Sequence, residues 1–307
     1  MTTTVPTTGG LDGADHHDPT AEPAVRITGL VKRYGTRNAV DGIDLEIRRG
    51  EVFALLGPNG AGKTTTVEIL EGYRSRDGGQ VSVLGVDPAT AGLDWRARIG
   101  IVLQSSTENA ELTVAELVHH FAKYYPDPRD PDEVITAAGL DEKRNARTRS
   151  LSGGQRRRLD VALGIVGRPE LLFLDEPTTG FDPQARRAFW DLVRGLRSDG
   201  TTILLTTHYL DEAQQLADRV AVINNGRILA VDTPDRLGGR SAHQVRVRWS
   251  EDGADQERVT QTPTRLVTEL AARFGGEVPD LQVMRPTLED VYLSMIEAEP
   301  ALGEEQS

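Results

Sequence analysis

The segment Gly57–Thr64 has the residue types and spacing of a phosphate-binding loop, G-x-x-x-x-G-K-[ST]. Its glycines allow backbone N–H groups to wrap phosphates, Lys63 supplies a positive charge for the outer phosphates, and the Thr64 hydroxyl suits Mg²⁺. A glycine-rich turn with a solvated lysine is the alternative, but the apolar strand before the loop and the helix after it favour a phosphate site. The residues predicted to bind a nucleotide here are Gly57, Asn59, Gly60, Ala61, Gly62, Lys63, Thr64 and Thr65.

The pentapeptide Leu151-Ser152-Gly153-Gly154-Gln155 is a second candidate phosphate surface. It precedes a helical run, and a helix start presents unpaired N–H groups and the positive end of the helix dipole. Glycines allow an anion to approach the backbone closely. The segment has no lysine, metal ligand or base beside it, so we expect it to complete a site whose other parts lie elsewhere.

Acidic side chains follow the predicted buried strand Leu171–Leu174. Asp175 can hold Mg²⁺, and Glu176 is placed to activate or orient a water against a terminal phosphate. The carboxyl ends of strands form the ligand-binding edge of α/β sheets, so an acid pair that only caps the next turn is the weaker alternative. His208 follows the strand Ile203–Leu205 and is expected at the same edge, although a lone strand-end histidine is more often structural.

Three further features are weak when each is taken alone. Tyr34, upstream of the phosphate loop, could stack on an adenine, but a half-buried surface tyrosine is the default. Gln104 follows a strand and could reach a metal ion. The run Arg156-Arg157-Arg158 is interpreted as a solvated helix face, because no aromatic residues interleave with it as in nucleic-acid-binding segments.

The elements that must position these residues alternate between strands and helices, which predicts a largely parallel α/β sheet. The clearest buried strand is Val52–Leu56, a continuous apolar run, and a helix is predicted from Lys63. Another helix is predicted over Pro183–Arg197. Asn225-Gly226 between two apolar runs predicts a hairpin. Thr287 and Asp290 resemble a capping box before a last helix.

The composition divides the chain into segments. Residues 1–23 are poor in large apolar side chains and are predicted to be a disordered tail. Residues 24–238 are predicted to form the sheet domain, with a helical insertion at about 107–166. A small α+β domain is predicted at 241–298, followed by a tail at 299–307.

Charge and apolar content exclude several classes of protein. The net charge of −12 argues against a general nucleic-acid-binding surface. The first 24 residues carry −4 and residues 241–307 carry −7, which leaves about −1 for the middle. We expect no membrane span and no secretory leader, since long apolar runs are absent. The lack of cysteine suits a reducing compartment and excludes disulfides.

With these motifs in place, residues 25–237 resemble the nucleotide-binding subunit of an ATP-binding-cassette (ABC) transporter. Their order along the chain carries the resemblance: Tyr34, Gly57–Thr64, Gln104, Leu151–Gln155, Leu171–Glu176, Phe181-Asp182 and His208. It implies a P-loop NTPase fold with a mixed sheet core, an antiparallel β subdomain and a helical insertion. It also implies ATP and Mg²⁺ as ligands, and a location at the cytoplasmic face of the cell membrane beside separate permease subunits.

The resemblance implies a role for each matching residue. Tyr34 would stack on adenine; Thr64, Gln104 and Asp175 would hold Mg²⁺. Glu176 would be the general base, with Lys63 and His208 contacting the terminal phosphate. Asp182 would lie at the interface of a homodimer. The residues expected to contact the ATP of the second subunit are Ser152, Gly153, Gly154 and Gln155. The family usually has Leu where Phe181 stands, for which we expect only local repacking.

A narrower likeness points to the daunorubicin-resistance type of drug-export ATPase. It rests on Arg158–Leu163, Thr178-Thr179-Gly180 and Pro286–Tyr292, which are less specific motifs. The expected function is therefore export of a hydrophobic drug-like, antibiotic or lipid compound. An importer subunit is one alternative. A soluble ABC ATPase that acts on translation or DNA is another; such proteins carry two cassettes, or hundreds of coiled-coil residues between the loop and the pentapeptide.

Overall fold

The computed structural model describes residues 22–102, 111–238 and 244–298. A six-stranded sheet in the order β5-β6-β7-β3-β8-β9 forms its centre. All neighbouring strands in it are parallel except β8 and β9, which form the hairpin predicted at Asn225-Gly226. Its strands are β3 (Val52–Leu56), β5 (Ile99–Val102), β6 (Leu171–Asp175), β7 (Thr202–Thr206), β8 (Arg219–Asn224) and β9 (Arg227–Asp232).

A second, antiparallel sheet has the order β2-β1-β4. Alternate side chains of its strands are buried, as expected of a sheet with one face on a core. Together with α1 (Lys63–Leu70) and one face of the central sheet it encloses one hydrophobic core. Its strands are β1 (Val25–Tyr34), β2 (Arg37–Ile47) and β4 (Gly78–Val83).

The helices that pack on the other face of the central sheet share a separate core with it. Three of them form the region predicted as a helical insertion, of which residues 107–110 lie outside the described residues. Among the described residues, no helix is long and apolar enough to cross a membrane. The helices up to residue 216 are α1, α2 (Leu93–Arg96), α3 (Val114–Ala122), α4 (Pro131–Ala137), α5 (Gly153–Val166), α6 (Pro183–Ser198) and α7 (Leu210–Leu216).

The C-terminal residues form a small sheet in the order β11-β10-β12, covered on one face by α8 (Pro263–Phe274). Val245, Val247 and Trp249 point into this small core, as their alternation predicts. The strands are β10 (Val245–Glu251), β11 (Ala254–Thr260) and β12 (Gln282–Met284).

The last helix, α9 (Leu288–Ala298), packs elsewhere. Its Leu288 and Val291 are buried in a cluster with Ala54 and Leu56 of β3 and Leu237. The predicted capping box is present, because the Asp290 carboxylate accepts from the Thr287 N–H at 2.8 Å. Helix α9 is thus joined to the core of the central sheet, although its position in the sequence suggested the small C-terminal unit.

The predicted architecture, a mixed central sheet with an antiparallel β subdomain and a helical insertion, is confirmed. Continuous apolar runs, for example Val52–Leu56, occupy the centre of the parallel sheet because both of its faces are covered.

Candidate nucleotide-binding site

A cavity of about 780 Å³ opens at the carboxyl ends of the central strands. Polar side chains from the phosphate loop, from the end of β6 and from the segment after β7 converge on it. Strands β3, β6 and β7 are adjacent and parallel, so their carboxyl ends share one edge of the sheet. The predicted residues that line this cavity are Tyr34, Asn59, Gly60, Gly62, Lys63, Thr64, Thr65, Asp175, Glu176 and His208.

Lys63 lies at the first position of α1, and its side chain bends back over the loop. Its ammonium donates to the carbonyls of Gly57 at 2.5 Å and Pro58 at 3.1 Å. Burial lowers its pKa below the ordinary value, an effect opposed by the nearby carboxylates of Glu176 and Asp175. Lys63 is thus held by carbonyls of the loop, in contact range of anything bound within it.

Gly57 and Gly62 are required by the packing of the loop itself. A Cβ at Gly57 would lie under 3.0 Å from the Ile223 carbonyl oxygen in β8, and one at Gly62 would meet the Ala39 carbonyl equally closely. Gly62 also has φ of 109°, which other residues rarely adopt. Ala61 is buried and does not line the cavity. Gly57 and Ala61 therefore shape the loop from outside the cavity.

Asp175 and Glu176 occupy the end of β6 as predicted, and His208 approaches them from the segment after β7. The Asp175 carboxylate accepts a hydrogen bond from the Thr206 hydroxyl. The His208 Nδ1 lies 3.1 Å from the Glu176 Oε1. These contacts fix one oxygen of each carboxylate and connect two adjacent strands of the sheet.

Glu176 has a strained backbone, with φ of 45° in the left-handed region that a non-glycine residue seldom adopts. Such a conformation costs on the order of 1–3 kcal/mol and persists only where neighbouring contacts hold it. Its N–H donates to the Thr206 carbonyl at 2.9 Å. The side chain is thereby directed into the cavity. No sequence pattern predicted this strained conformation.

Tyr34 is 44% exposed at the rim of the cavity, where a flat aromatic ligand could stack on it. The Arg74 guanidinium lies 5.5 Å and the Lys32 ammonium 5.7 Å from the centroid of its ring. Arg37 also lines the cavity and donates to the Gly60 carbonyl at 3.1 Å. Sequence reasoning missed Arg37 and Arg74, since no motif marks either position.

The pentapeptide lies apart from this cavity, at the start of α5. Ser152 is the N-cap: its Oγ accepts from the Gln155 N–H at 3.3 Å, and the Gln155 Oε1 accepts from the Ser152 N–H at 3.1 Å. Ser152 and Gly153 are exposed, and Gly154 is partly exposed. None of the four predicted ATP contacts on this segment lines the cavity of its own chain.

Asp182 caps α6, because its carboxylate accepts from the Ala185 N–H at 2.8 Å. The preceding Phe181 is buried and packs edge-on against Phe189, with 6.0 Å between ring centroids. Asp182 therefore has a local task in addition to the predicted one at a dimer interface. Gln104, predicted as a metal ligand, lies outside the described residues.

The interpretation of Arg156–Arg158 as a solvated face is wrong for its central residue. Arg157 is only 7% exposed. Its Nε donates to the Pro177 carbonyl at 3.2 Å, and a terminal nitrogen donates to the Asp175 carbonyl. Burial of a charged arginine is tolerated where backbone carbonyls take its N–H groups.

The sequence is similar to known proteins over most of its length. A family model described as "ABC transporter" matches residues 40–179. A daunorubicin resistance ATP-binding protein of Streptomyces coeruleorubidus is 38% identical over 305 residues, which cover 90% of this chain and 96% of that one. The chain belongs to the ABC transporter family. It is an ATP-binding cassette with the ATPase chemistry of that family.

Two further relatives and one solved structure extend the likeness to the ABC family. A daunorubicin/doxorubicin resistance ATP-binding protein of Streptomyces peucetius is 43% identical, covering 77% of this chain and 74% of its own. A Nod factor export ATP-binding protein of Ralstonia nicotianae is 43% identical, covering 70% and 68%. The structure of an ATP-binding subunit of an ABC transporter superposes with a TM-score of 0.67 at 22% identity, over 89% of this chain and 99% of that one.

Proposed function

We propose that this cassette hydrolyses ATP to energise the export of hydrophobic, drug-like compounds through a separate membrane permease. The observation that carries the catalytic part is the convergence of Lys63, Glu176 and His208 on one cavity below Tyr34. The direction and class of cargo are supported by the names of relatives that cover between 70% and 90% of this chain, which refer to drug resistance and to export.

In the proposed reaction, the backbone of the phosphate loop and the Lys63 ammonium hold the terminal phosphates of ATP, while Tyr34 stacks on the adenine. Glu176 accepts a proton from the attacking water and orients it towards the terminal phosphorus. His208, 3.1 Å from Glu176, fixes that carboxylate and contacts the terminal phosphate. The strained backbone of Glu176 presets its direction before ATP binds.

The donor set at the cavity suits Mg²⁺. A hydroxyl at Thr64 and a carboxylate at Asp175 are hard oxygen ligands, and Mg²⁺ is usually bound by one or two protein groups together with phosphate oxygens and waters. Among the described residues, no cluster of three or more acidic or histidine ligands forms a metal cage, which agrees with such shared binding. We propose Thr64 and Asp175 as ligands, with Gln104 as a third; the bound ion would neutralise charge on the phosphates.

We further propose that two copies of the chain act together, each placing Ser152–Gln155 against the ATP held by the other. Ser152 and Gly153 are exposed at a helix N-terminus, yet the pentapeptide does not line the cavity of its own chain. A dimeric bacterial ABC transporter cassette has this fold, with a TM-score of 0.63 and 23% identity, covering 68% of this chain and 98% of its own. Asp182 would lie at this interface.

The permease is proposed to dock on a second cavity of about 570 Å³. Leu93 in α2 and Tyr124 after α3 line it and are 79% and 68% exposed, unusually high for large apolar side chains. Helices α2 and α3 flank the segment that contains Gln104. A cytoplasmic segment of the permease is the proposed occupant, which would hold the cassette at the cytoplasmic face of the membrane; nucleic acid is not a proposed partner.

The decisive experiment joins the cassette to its membrane permease in inside-out membrane vesicles. We expect ATP-dependent accumulation of a fluorescent anthracycline or a similar hydrophobic compound inside the vesicles. The same vesicles with Glu176→Gln should bind ATP but accumulate nothing. Uptake in right-side-out vesicles instead would indicate an importer, and ATP hydrolysis that no permease alters would indicate a soluble ABC ATPase.

A further inference from the structure

The buried Arg157 connects two functional regions of the chain. It lies on α5, five residues after the N-cap Ser152, so the two positions are about 7.5 Å apart along the helix axis. From there its guanidinium reaches the segment that follows β6. A helix transmits displacement over so short a distance as a rigid body, so Arg157 moves with the start of α5.

The two carbonyls that Arg157 holds lie on either side of one residue. Its Nε donates to the carbonyl of Pro177 at 3.2 Å and a terminal nitrogen to the carbonyl of Asp175. The residue between them is Glu176, whose φ is 45°. The planar guanidinium therefore clamps the backbone at the position where the strained conformation must be held.

The charge of Arg157 also lies close to carboxylates, two of which line the cavity. Burial lowers the pKa of Arg157, and the opposing effect comes from the negative charges of Asp160, Asp175, Glu176 and Glu212. An arginine keeps its charge at any physiological pH. A buried positive group thus lies behind the carboxylates that face the cavity.

We propose that Arg157 is a positioning residue, which holds Glu176 in its working conformation and ties it to the helix that meets the ATP of the partner subunit. This inference rests on the proposed function. When the ATP held by the partner subunit binds against Ser152–Gln155, the start of α5 shifts. Arg157 moves with α5 and displaces the backbone around Glu176. Each ATP site then acts on the base of the other.

The test is Arg157→Lys in the full-length chain. A lysine keeps the charge, but as a compact point donor it cannot reproduce the two N–H bonds of a planar fork. We expect kcat for ATP hydrolysis to fall about 10- to 100-fold, with the Kd for a fluorescent ATP analogue changed less than about 2-fold. The matched control is Arg158→Lys, at the next position of α5. It removes the hydrogen bond from Arg158 to the Gly139 carbonyl and should change kcat less than about 2-fold.

A second measurement separates positioning from general loss of structure. In a chain that already carries Glu176→Gln, Arg157→Lys should lower the remaining turnover less than about 2-fold. The reason is that both substitutions remove the same function, the action of Glu176 as a base. A merely structural arginine would give the full additional loss there. If Arg157→Lys is unstable, Arg157→Gln, which keeps a planar N–H₂ donor without a buried charge, takes its place in both measurements.

Three results would overturn the inference: an unchanged kcat, a loss equal to that of Arg158→Lys, or a loss that persists in full beside Glu176→Gln. Each requires a wild-type chain that hydrolyses ATP. A wild-type chain without ATPase activity would contradict the proposed function itself, so the two failures are distinguishable.

Discussion

The two glycine-containing segments that we propose to contact phosphates differ in what requires their glycines. In the phosphate loop, a Cβ on Gly57 or Gly62 would collide with backbone carbonyls of the same chain. At the start of α5, a Cβ on Gly153 would meet no heavy atom of the described residues within 4 Å. Gly57 and Gly62 are required by the fold, whereas Gly153 leaves open space that the described residues do not fill.

This difference fits the proposal that the loop serves a site on its own chain, whereas the start of α5 completes a site on a second molecule. The loop lies in a cavity with a lysine, two carboxylates and a histidine. The start of α5 has a satisfied capping box and exposed backbone, with none of those groups. A helix N-terminus with open space in front of it can bind an anion. In the proposed dimer, that anion is the ATP held by the partner subunit.

The largest expected effect is at the cavity. Lys63→Ala should lower kcat/KM for ATP by about 10³-fold or more, because the charge developing on the phosphates loses its positive partner in a partly buried site. Steady-state ATPase measurements check this, with Lys143→Ala, an exposed lysine that lines neither cavity, as the control. A loss below about 10-fold would mean that the phosphates bind elsewhere.

The next effect tests the assignment of the two surfaces to different molecules. Gly153→Val should lower turnover about 10²-fold while leaving ATP binding to the isolated chain unchanged, since its side chain fills space reserved for a partner. A mixed dimer of Lys63→Ala and Gly153→Val chains has one site with both defects and one with neither. We expect that dimer to recover up to about half of the wild-type turnover.

The mixed dimer distinguishes a pentapeptide that serves the partner's ATP from one that serves the ATP of its own chain. If the pentapeptide served the ATP of its own chain, both sites would carry a defect and no activity would return. Differently tagged subunits, purified in tandem, supply the mixed species, and each variant purified alone supplies the baseline.

A smaller effect, on stability, separates the two kinds of glycine. Gly57→Ala should lower the free energy of unfolding by about 1–3 kcal/mol, because a methyl group must displace the backbone of β8. Gly153→Ala should be neutral or raise it by up to about 1 kcal/mol, since alanine favours a helix over glycine. Urea denaturation of both variants measures these changes in the free energy of unfolding. Equal destabilisation would mean that the two glycines do not differ in their role in the fold.

The smallest effect concerns an acid on the helix that follows the phosphate loop. Burial, with repulsion from Asp175 and Glu68, raises the pKa of Glu71 to about 8. The folded chain therefore keeps a proton that the unfolded chain loses above its lower pKa, so stability falls as pH rises from about 4.5 to about 8. Glu71→Gln should lack this loss, which amounts to about 1 kcal/mol between pH 6 and pH 7. Denaturation across that range, with the exposed Glu142→Gln as control, measures it; parallel curves would contradict the raised pKa.

The sequence predicted the parts of the site that local spacing encodes. The phosphate loop, the acids after β6 and His208 were found because each follows an apolar strand, and parallel strands place such positions at one edge. Arg37, which lines the cavity, and Arg74, which lies against the Tyr34 ring, were missed because both positions depend on how the antiparallel sheet packs beside the phosphate loop and α1.

The clearest error, at Arg157, has a physical cause. Three consecutive arginines on a helix point in three directions, about 100° apart, so they do not share one narrow face of the helix. Arg157 is the buried one because the segment at the end of β6 places two carbonyl acceptors beside it.

The sequence by itself determined the family, the order of the motifs and the chemistry of the cavity, because phosphate loops, strand ends and hairpin turns are encoded by residues close together along the chain. The tertiary structure decided which side chains those motifs depend on. It buried Arg157 against the backbone carbonyls on either side of Glu176, joined α9 to the core of the central sheet, and left Gly153 open among the described residues. These outcomes rest on contacts between segments far apart in the chain, which no local pattern specifies.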